Sequence, residues 1–93
     1  MLRVATEKSV RLALAKLAPE RQAEVLAALR QLPGAFGRAH AHAGIGLRQL
    51  RREIFEARIG LQTRVLFERD GDLLVVKTFG THDDIRRYLR TRA

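Results

Sequence analysis

The sequence predicts an α+β fold in which a helical hairpin packs on one face of a small antiparallel sheet, in the order β-α-α-β-β-β-α. Apolar residues recur at helical spacing in the first third of the chain, whereas they alternate with a period of two between residues 54 and 79. Two of the alternating runs are separated by Asp70-Gly71, a dipeptide typical of tight β-hairpins. A length of 93 residues suits one domain with one core, so we expect a single domain over residues 1–93.

The N-terminal third is expected to hold a short edge strand, Leu2–Ala5, and two helices. Thr6 is a candidate N-cap for a helix over Glu7–Leu17. Pro19 breaks that helix and is favourable as the first residue of the next one. The second helix is predicted to end at Leu32-Pro33-Gly34. Its predicted buried stripe consists of Ala23, Leu26, Ala27 and Leu29.

The rest of the chain is predicted to form a loop, three strands and a last helix. Residues 35–46 are rich in Gly, Ala and His without a clear period, which is typical of a loop. Thr81-His82-Asp83-Asp84 resembles a capping box with Asp in place of Glu, and begins a helix that runs through Leu89. The three predicted strands are Ile54–Ile59, Gln62–Arg69 and Leu73–Phe79.

The predicted register separates an apolar sheet face from a charged one. A two-residue Asp70-Gly71 turn pairs Arg69 with Asp72, and therefore Val65 with Val76 and Arg64 with Lys77. An odd-length turn after Ile59 sets Arg58 near Arg64. The apolar face, which the helices cover, holds Val65, Phe67, Leu74 and Val76. The opposite face displays Glu56, Arg58, Arg64, Leu66, Val75, Lys77 and Phe79.

Charge and composition indicate which kinds of partner the protein favours and which kinds of site it cannot have. Eighteen Lys and Arg residues oppose ten Asp and Glu, a net charge of +8 that favours RNA, DNA or an acidic protein as partner. The alternative is that these charges are merely solvated. The chain has no cysteine, which excludes disulfides, thiolate zinc sites and cysteine nucleophiles. No apolar run reaches the length of a signal peptide or a membrane span, so we expect a cytoplasmic protein without membrane association.

Three segments together carry a resemblance to a known family. They are Phe55-Glu56-Ala57-Arg58-Ile59-Gly60, Thr63-Arg64-Val65-Leu66-Phe67 and Gly80-Thr81-His82-Asp83. In this order, and with the Asp-Gly hairpin between them, they resemble the RelE/ParE superfamily of toxins; the Gly-Thr-His corner is similar to that of YafQ-like members. The resemblance implies a toxin that is neutralised by a cognate acidic antitoxin. RelE-like members cut mRNA on the ribosome without metal or cofactor, whereas ParE-like members act on DNA gyrase.

The resemblance also implies a set of site residues. Arg64 matches an arginine that helps to hold phosphate, His82 matches a basic or histidine position after the last strand, and Tyr88 lies where an active-site tyrosine is often found. These three are the candidate catalytic residues. The candidate RNA-binding residues are Arg48, Arg51, Arg52, Arg58, Lys77 and Arg86. The chain departs from RelE because arginines replace its paired lysines, and arginine cannot serve as a base near neutral pH. It departs from YafQ-like members at Arg86, where those carry an aromatic residue.

RNA cleavage without metal needs a base for the 2′-hydroxyl, an acid for the leaving oxygen, and cations for the charged phosphorane. Arg64, with Arg58 and Lys77, supplies the cations, and His82 is suited to proton transfer near neutral pH. Tyr88 is suited to stacking on a base or to sharing in proton transfer. Glu56, beside two arginines, is a weak base.

Each candidate also has a structural alternative. His82 in the first turn of a helix can simply hydrogen-bond the chain, and Tyr88 can simply pack. His40 and His42 read as plain loop residues because no further metal ligands accompany them. A solvated helix face is the alternative to a contact with ribosomal RNA for four arginines of the last helix: Arg86, Arg87, Arg90 and Arg92. At the level of function, the alternatives to a ribosome-dependent mRNA endonuclease are a gyrase inhibitor and a non-toxic member that only binds antitoxin or nucleic acid.

Overall fold

A computed structural model describes residues 1–36 and 46–91, which form three helices and a five-stranded sheet. The strands lie in the order β1-β5-β4-β3-β2; β1 runs parallel to β5 and all other neighbours are antiparallel. The predicted α+β class is confirmed, although the sheet is mixed and includes one short strand, β2, that the pattern does not predict. In chain order the elements are β1 (Arg3–Thr6), α1 (Lys8–Ala15), α2 (Pro19–Phe36), β2 (Arg48–Arg51), β3 (Ile54–Ile59), β4 (Thr63–Asp70), β5 (Leu73–Gly80) and α3 (His82–Thr91).

The core lies between α1, α2 and the apolar sheet face, as predicted. Phe67 is completely buried at its centre, and Val65, Leu74 and Val76 on the same face are buried with it. The Phe67 ring stacks on Phe55 at 5.7 Å, and Phe36 from the end of α2 meets Phe55 edge-on at 4.7 Å. Such aromatic pairs stabilise a core by about 0.5–1.5 kcal/mol beyond the area that they bury.

The helices depart from their predicted limits. The N-cap of α1 is Glu7 rather than Thr6, and α2 begins at Pro19 as predicted. The predicted end of α2 at Leu32-Pro33-Gly34 was wrong, because the helix continues through Pro33 to Phe36. Proline removes one helical hydrogen bond, but this last turn buries Leu32, Ala35 and part of Phe36 against the core.

The predicted stripe of α2 was also largely wrong, since Ala23 and Ala27 are exposed and Leu26 is only partly buried. The buried stripe consists of Val25, Leu29, Leu32 and Ala35. Of the predicted loop 35–46, Ala35 and Phe36 belong to α2, while His40 and His42 lie outside the described residues. Arg92 also lies outside them.

The β3–β4 register is as predicted. Ile59 pairs with Thr63 across a three-residue turn, which places Arg58 directly opposite Arg64. The β4–β5 register differs from the prediction, because Asp70 pairs with Leu73 and the turn residues are Gly71 and Asp72.

A bulge changes the β4–β5 pairing further along. Phe67 pairs with Val76 but Leu66 pairs with Thr78, so Lys77 is the extra residue. Beyond it, Val65 pairs with Phe79 and Arg64 with Gly80. The predicted pairs Val65–Val76 and Arg64–Lys77 were therefore wrong, and Phe79 packs against the core instead of lying on the charged face. The shift in the turn is two residues, so Leu74 and Val76 keep their predicted face.

The third helix covers the middle of the second sheet face. α3 packs against β4 and β5 and buries Ile85, and Leu66 is buried although it points away from α1 and α2. Glu56, which was predicted to be displayed on this face, is only 4% exposed. None of the described helices is long and apolar enough to cross a bilayer.

Candidate functional site

The corner between β5 and α3 fixes the position of His82. The backbone N–H of Asp84 donates to Thr81 Oγ1 at 3.2 Å, and the N–H of Thr81 donates to Asp84 Oδ2 at 2.9 Å. The predicted capping box is thus present, and the bond from the Thr81 N–H contributes most to holding the pKa of the Asp84 carboxyl below its usual range. A Cβ on Gly80 would lie 2.6 Å from Asp84 Oδ2, so glycine is required for the carboxylate to reach back. His82, the first residue of α3, is exposed as a result.

His82 and Arg64 line the same open cavity. This cavity has a volume of about 380 Å³, and its other walls come from the β3–β4 turn and from the start of α3. The lining residues are Leu61, Gln62, Arg64, Thr81, His82 and Asp83. The structure therefore brings together two of the three candidate catalytic residues.

A second cavity of about 360 Å³ shares His82 with the first and extends along α3. Its walls carry two candidate RNA-binding residues, Arg48 and Arg86, above the carboxylate of Glu56. The remaining lining residues are Leu50, Ile85 and Leu89. We call the two cavities together the His82 groove.

Beneath the groove, Arg64 and Glu56 form an ion pair. Arg64 Nη1 donates to Glu56 Oε1 at 2.9 Å, and the two side chains are 18% and 5% exposed. A carboxylate buried this deeply requires a charged or hydrogen-bonding partner, and Arg64 provides it. A guanidinium has five N–H donors, so the bond to Glu56 leaves donors of Arg64 for a ligand in the groove.

Three exposed cations around the groove have no such partner. Arg48, Arg58 and Arg86 make no side-chain hydrogen bond or ion pair within residues 1–36 and 46–91. Arg58 stands next to Arg64 across β3 and β4, where like charges repel. Among the described residues, the groove therefore has three unpaired cations in or beside it and one exposed carboxylate, Asp83, and this excess of positive charge is suited to an anion.

Tyr88 lies apart from His82. It lines a separate cavity of about 230 Å³, together with Arg51, Ile54, Leu66, Glu68, Lys77 and Leu89. Tyr88 is six positions after His82 in α3, which corresponds to a rotation of about 240° around the helix axis. The structure does not bring the predicted acid–base pair into one cavity.

Lys77 and Arg51, two other candidate RNA-binding residues, already have partners. Lys77 Nζ lies 3.1 Å from Glu7 Oε2 and 3.3 Å from Glu68 Oε1. The hydrogen bond with Glu7 contributes most to raising the pKa of Lys77. Arg51 Nη2 donates to the backbone oxygen of Leu89 at 3.4 Å, while Arg52 is exposed beyond the end of β2.

Among the groove residues that were not singled out from the sequence are Leu61 and Gln62. Both lie in the β3–β4 turn, where Leu61 is 93% exposed. The signal available in the sequence was an apolar residue inside a short hairpin turn, since such turns are usually polar.

Comparisons with known proteins place the fold. No family model and no curated protein matches the sequence. Among solved structures, YafQ from E. coli strain BL21(DE3) superposes with a TM-score of 0.66 at 13% identity, covering 91% of this chain and 98% of that chain. The RelBE2 toxin–antitoxin complex of Mycobacterium tuberculosis gives a TM-score of 0.67 at 24% identity, covering 87% and 98%. The archaeal RelE–RelB complex of Pyrococcus horikoshii gives 0.66 at 16% identity, covering 86% and 93%. The chain has the fold of RelE- and YafQ-type toxins, and the predicted resemblance is confirmed at that level.

Proposed function

We propose that this chain is the toxin of a toxin–antitoxin system and inhibits translation as a metal-independent, ribosome-dependent mRNA endonuclease. The observation that carries the proposal is the position of His82 beside Arg64 in one cationic groove. The fold supports it, because the solved structures that share it include toxins and toxin–antitoxin complexes.

The groove suggests a division of roles. Arg64 binds the scissile phosphate, and Arg58 beside it adds positive charge as the phosphorane develops. His82 accepts the proton of the 2′-hydroxyl while that oxygen attacks phosphorus; the P–O5′ bond then breaks, leaving a 2′,3′-cyclic phosphate and a 5′-hydroxyl. Glu56 is engaged with Arg64 and is not the base.

Tyr88 takes part only if the RNA reaches the cavity on the other side of α3. In that case it contacts a nucleotide away from the one that is cut. His82 is the one histidine among the described residues that line the groove, so the ribosome is expected to orient the substrate and to help protonate the leaving oxygen.

The proposed partners follow from the charge of the groove. Arg48, Arg58 and Arg86 favour an acidic antitoxin segment lying across it, which would exclude mRNA from Arg64 and His82. Toxin–antitoxin complexes such as RelBE2 among the structures that share the fold support an antitoxin partner.

Induced expression without an antitoxin tests this function. We expect growth arrest together with new 5′ ends within translated transcripts. His82→Gln should abolish both, since glutamine keeps hydrogen-bonding groups but cannot exchange a proton near neutral pH. Arg30→Gln is the matched control, an exposed change on α2 that should leave both intact. Arrest with intact transcripts would overturn the endonuclease proposal.

The separation of His82 from Tyr88 favours a second candidate, a protein that binds and inhibits DNA gyrase without catalysis. This candidate predicts loss of supercoiling activity when purified protein is added to gyrase, and unaffected supercoiling would exclude it. A third candidate, a non-toxic member that only binds antitoxin or nucleic acid, predicts harmless expression.

A further inference from the structure

The β3–β4 turn presents an apolar side chain at the edge of the cationic groove. Leu61 is 93% exposed, whereas Leu12 on α1, the other leucine among the exposed large hydrophobic residues of the described chain, is 56% exposed. Leu61 lines the same cavity as Arg64 and His82. It also borders an open depression of about 480 Å³ on the side of α2, lined in part by Arg21 and Glu24.

The position of Leu61 is fixed by the turn. Gly60 has a φ of 67°, a conformation that favours glycine, and the three-residue turn is closed by the pair Ile59–Thr63. Ile59 and Thr63 are both buried, so the ends of the turn are anchored in the core. The exposed leucine is therefore held in place next to the groove.

We propose that Leu61 and Gln62 form a nucleobase-contacting site for the nucleotide that adjoins the phosphate at Arg64; this proposal rests on RNA being the substrate of the groove. A nucleotide combines an anionic phosphate with a flat base of low polarity, and the cavity offers a guanidinium on one side and leucine methyl groups on the other. Its volume lies in the range of small-ligand sites, about 300–1,000 Å³.

The two side chains have different roles in this site. Leu61 covers the face of an unstacked base, as apolar side chains do when they contact nucleic acid bases. The carboxamide of Gln62 has both donors and an acceptor and is suited to the hydrogen-bonding edge of a base. Single-stranded RNA is the appropriate ligand, because its bases can be turned out of the stack. Leu61 accordingly contributes affinity and Gln62 contributes preference among bases.

Fluorescence anisotropy with short labelled single-stranded RNAs tests the proposal on the intact protein. One strand carries bases throughout, and a matched strand has the same phosphates but abasic sites at its centre. Leu61→Ala should weaken binding of the complete strand by about 3- to 10-fold, consistent with partial burial of one leucine, and leave the abasic strand unaffected. Gln62→Ala should reduce the differences in affinity among strands that differ in the central base.

Leu12→Ala is the matched control and should change neither affinity. The proposal is overturned if Leu61→Ala weakens both strands equally, if it changes neither, or if the wild-type protein does not bind RNA. It is also overturned if Leu61→Ala weakens only the complex with an antitoxin, because the turn would then belong to a protein interface. Leu61-dependent binding together with uncut transcripts would support the base contact and reject the endonuclease proposal, so the two failures are distinguishable.

Discussion

At the scale of single residues, Glu56 determines how the groove is charged. Its carboxylate is buried under α3 and pairs with Arg64, which orients the guanidinium that the proposed reaction needs. The alternation in β3 and the odd-length turn predicted which face Glu56 occupies and that Arg58 lies opposite Arg64. The burial of Glu56 was not predictable, because it depends on where α3 crosses the sheet.

The ion pair predicts that removing Arg64 alone lowers the stability of the fold more than removing both charges. Arg64→Met should lower the free energy of unfolding by about 3 kcal/mol, since it leaves a buried carboxylate without a partner. Adding Glu56→Gln to that variant should recover at least about 1 kcal/mol, because a neutral amide is less costly to bury. Urea unfolding of the single and double variants measures both values.

The control for this cycle is Arg58→Met, an exposed change on the same face that should stay within about 0.5 kcal/mol. If the double variant were no more stable than Arg64→Met alone, the pair would not be compensating a buried charge. The double variant differs from Glu56→Gln only at residue 64, and neither leaves a buried carboxylate without a partner. Comparing the activity of these two variants therefore separates the functional role of Arg64 from its structural one.

At the scale of elements, local signals predicted the capping box and the existence of both hairpins more reliably than the ends and register of the elements, and the second turn lies one residue later than predicted. The capping box of Thr81 and Asp84 could be predicted from the sequence, because its partners always lie three residues apart. The length of α2 could not be predicted, since Pro33-Gly34 is a strong stop signal that the buried last turn overrides. The bulge at Lys77 was not predicted either. The extra residue shifts the alternation so that Phe79 follows Val76 on the core face, but residues 73–76 are all apolar and hide this change.

Gly34 inside α2 and Gly80 at the end of β5 predict opposite effects of substitution by alanine. Gly34→Ala should stabilise the protein by about 0.5–1 kcal/mol, because alanine has the higher helix propensity and its Cβ meets nothing within 4 Å. Gly80→Ala should destabilise it, because the new Cβ would lie 2.6 Å from Asp84 Oδ2 and break the cap. Thermal unfolding compares the two variants, and a shift of the same sign in both would contradict the assigned geometry.

The contacts of Lys77 predict the alkaline limit of stability. Its ammonium links the N-cap of α1 to β4, and its pKa in the folded protein is raised above the ordinary value of 10.5. The stabilisation is fully present below the unfolded pKa and is lost as pH rises through the higher folded pKa. Lys77→Met should therefore flatten the fall in the melting temperature above pH 10, whereas Lys8→Met, an exposed change, should leave it unchanged. An alkaline fall identical in the wild type and in Lys77→Met would contradict this link.

At the scale of the whole molecule, α3 divides the charged sheet face into two compartments. Arg64, His82, Arg48 and Arg86 belong to the His82 groove, whereas Tyr88 shares its cavity with the already paired Lys77. The sequence predicted the fold class and the basic face, because both follow from periodicity and charge. It did not predict the division, since neither signal specifies how a terminal helix lies across a sheet.

Reaction mapping in a purified translation mixture tests the central claim most directly. Ribosomes are stalled with a defined codon in the decoding site, the protein is added, and the mRNA ends are located by primer extension. We predict cleavage at that codon by the wild-type protein and by Arg30→Gln, none by His82→Gln, and none on the same mRNA without ribosomes. Intact mRNA with the wild-type protein, or equal cleavage by His82→Gln, would contradict the account.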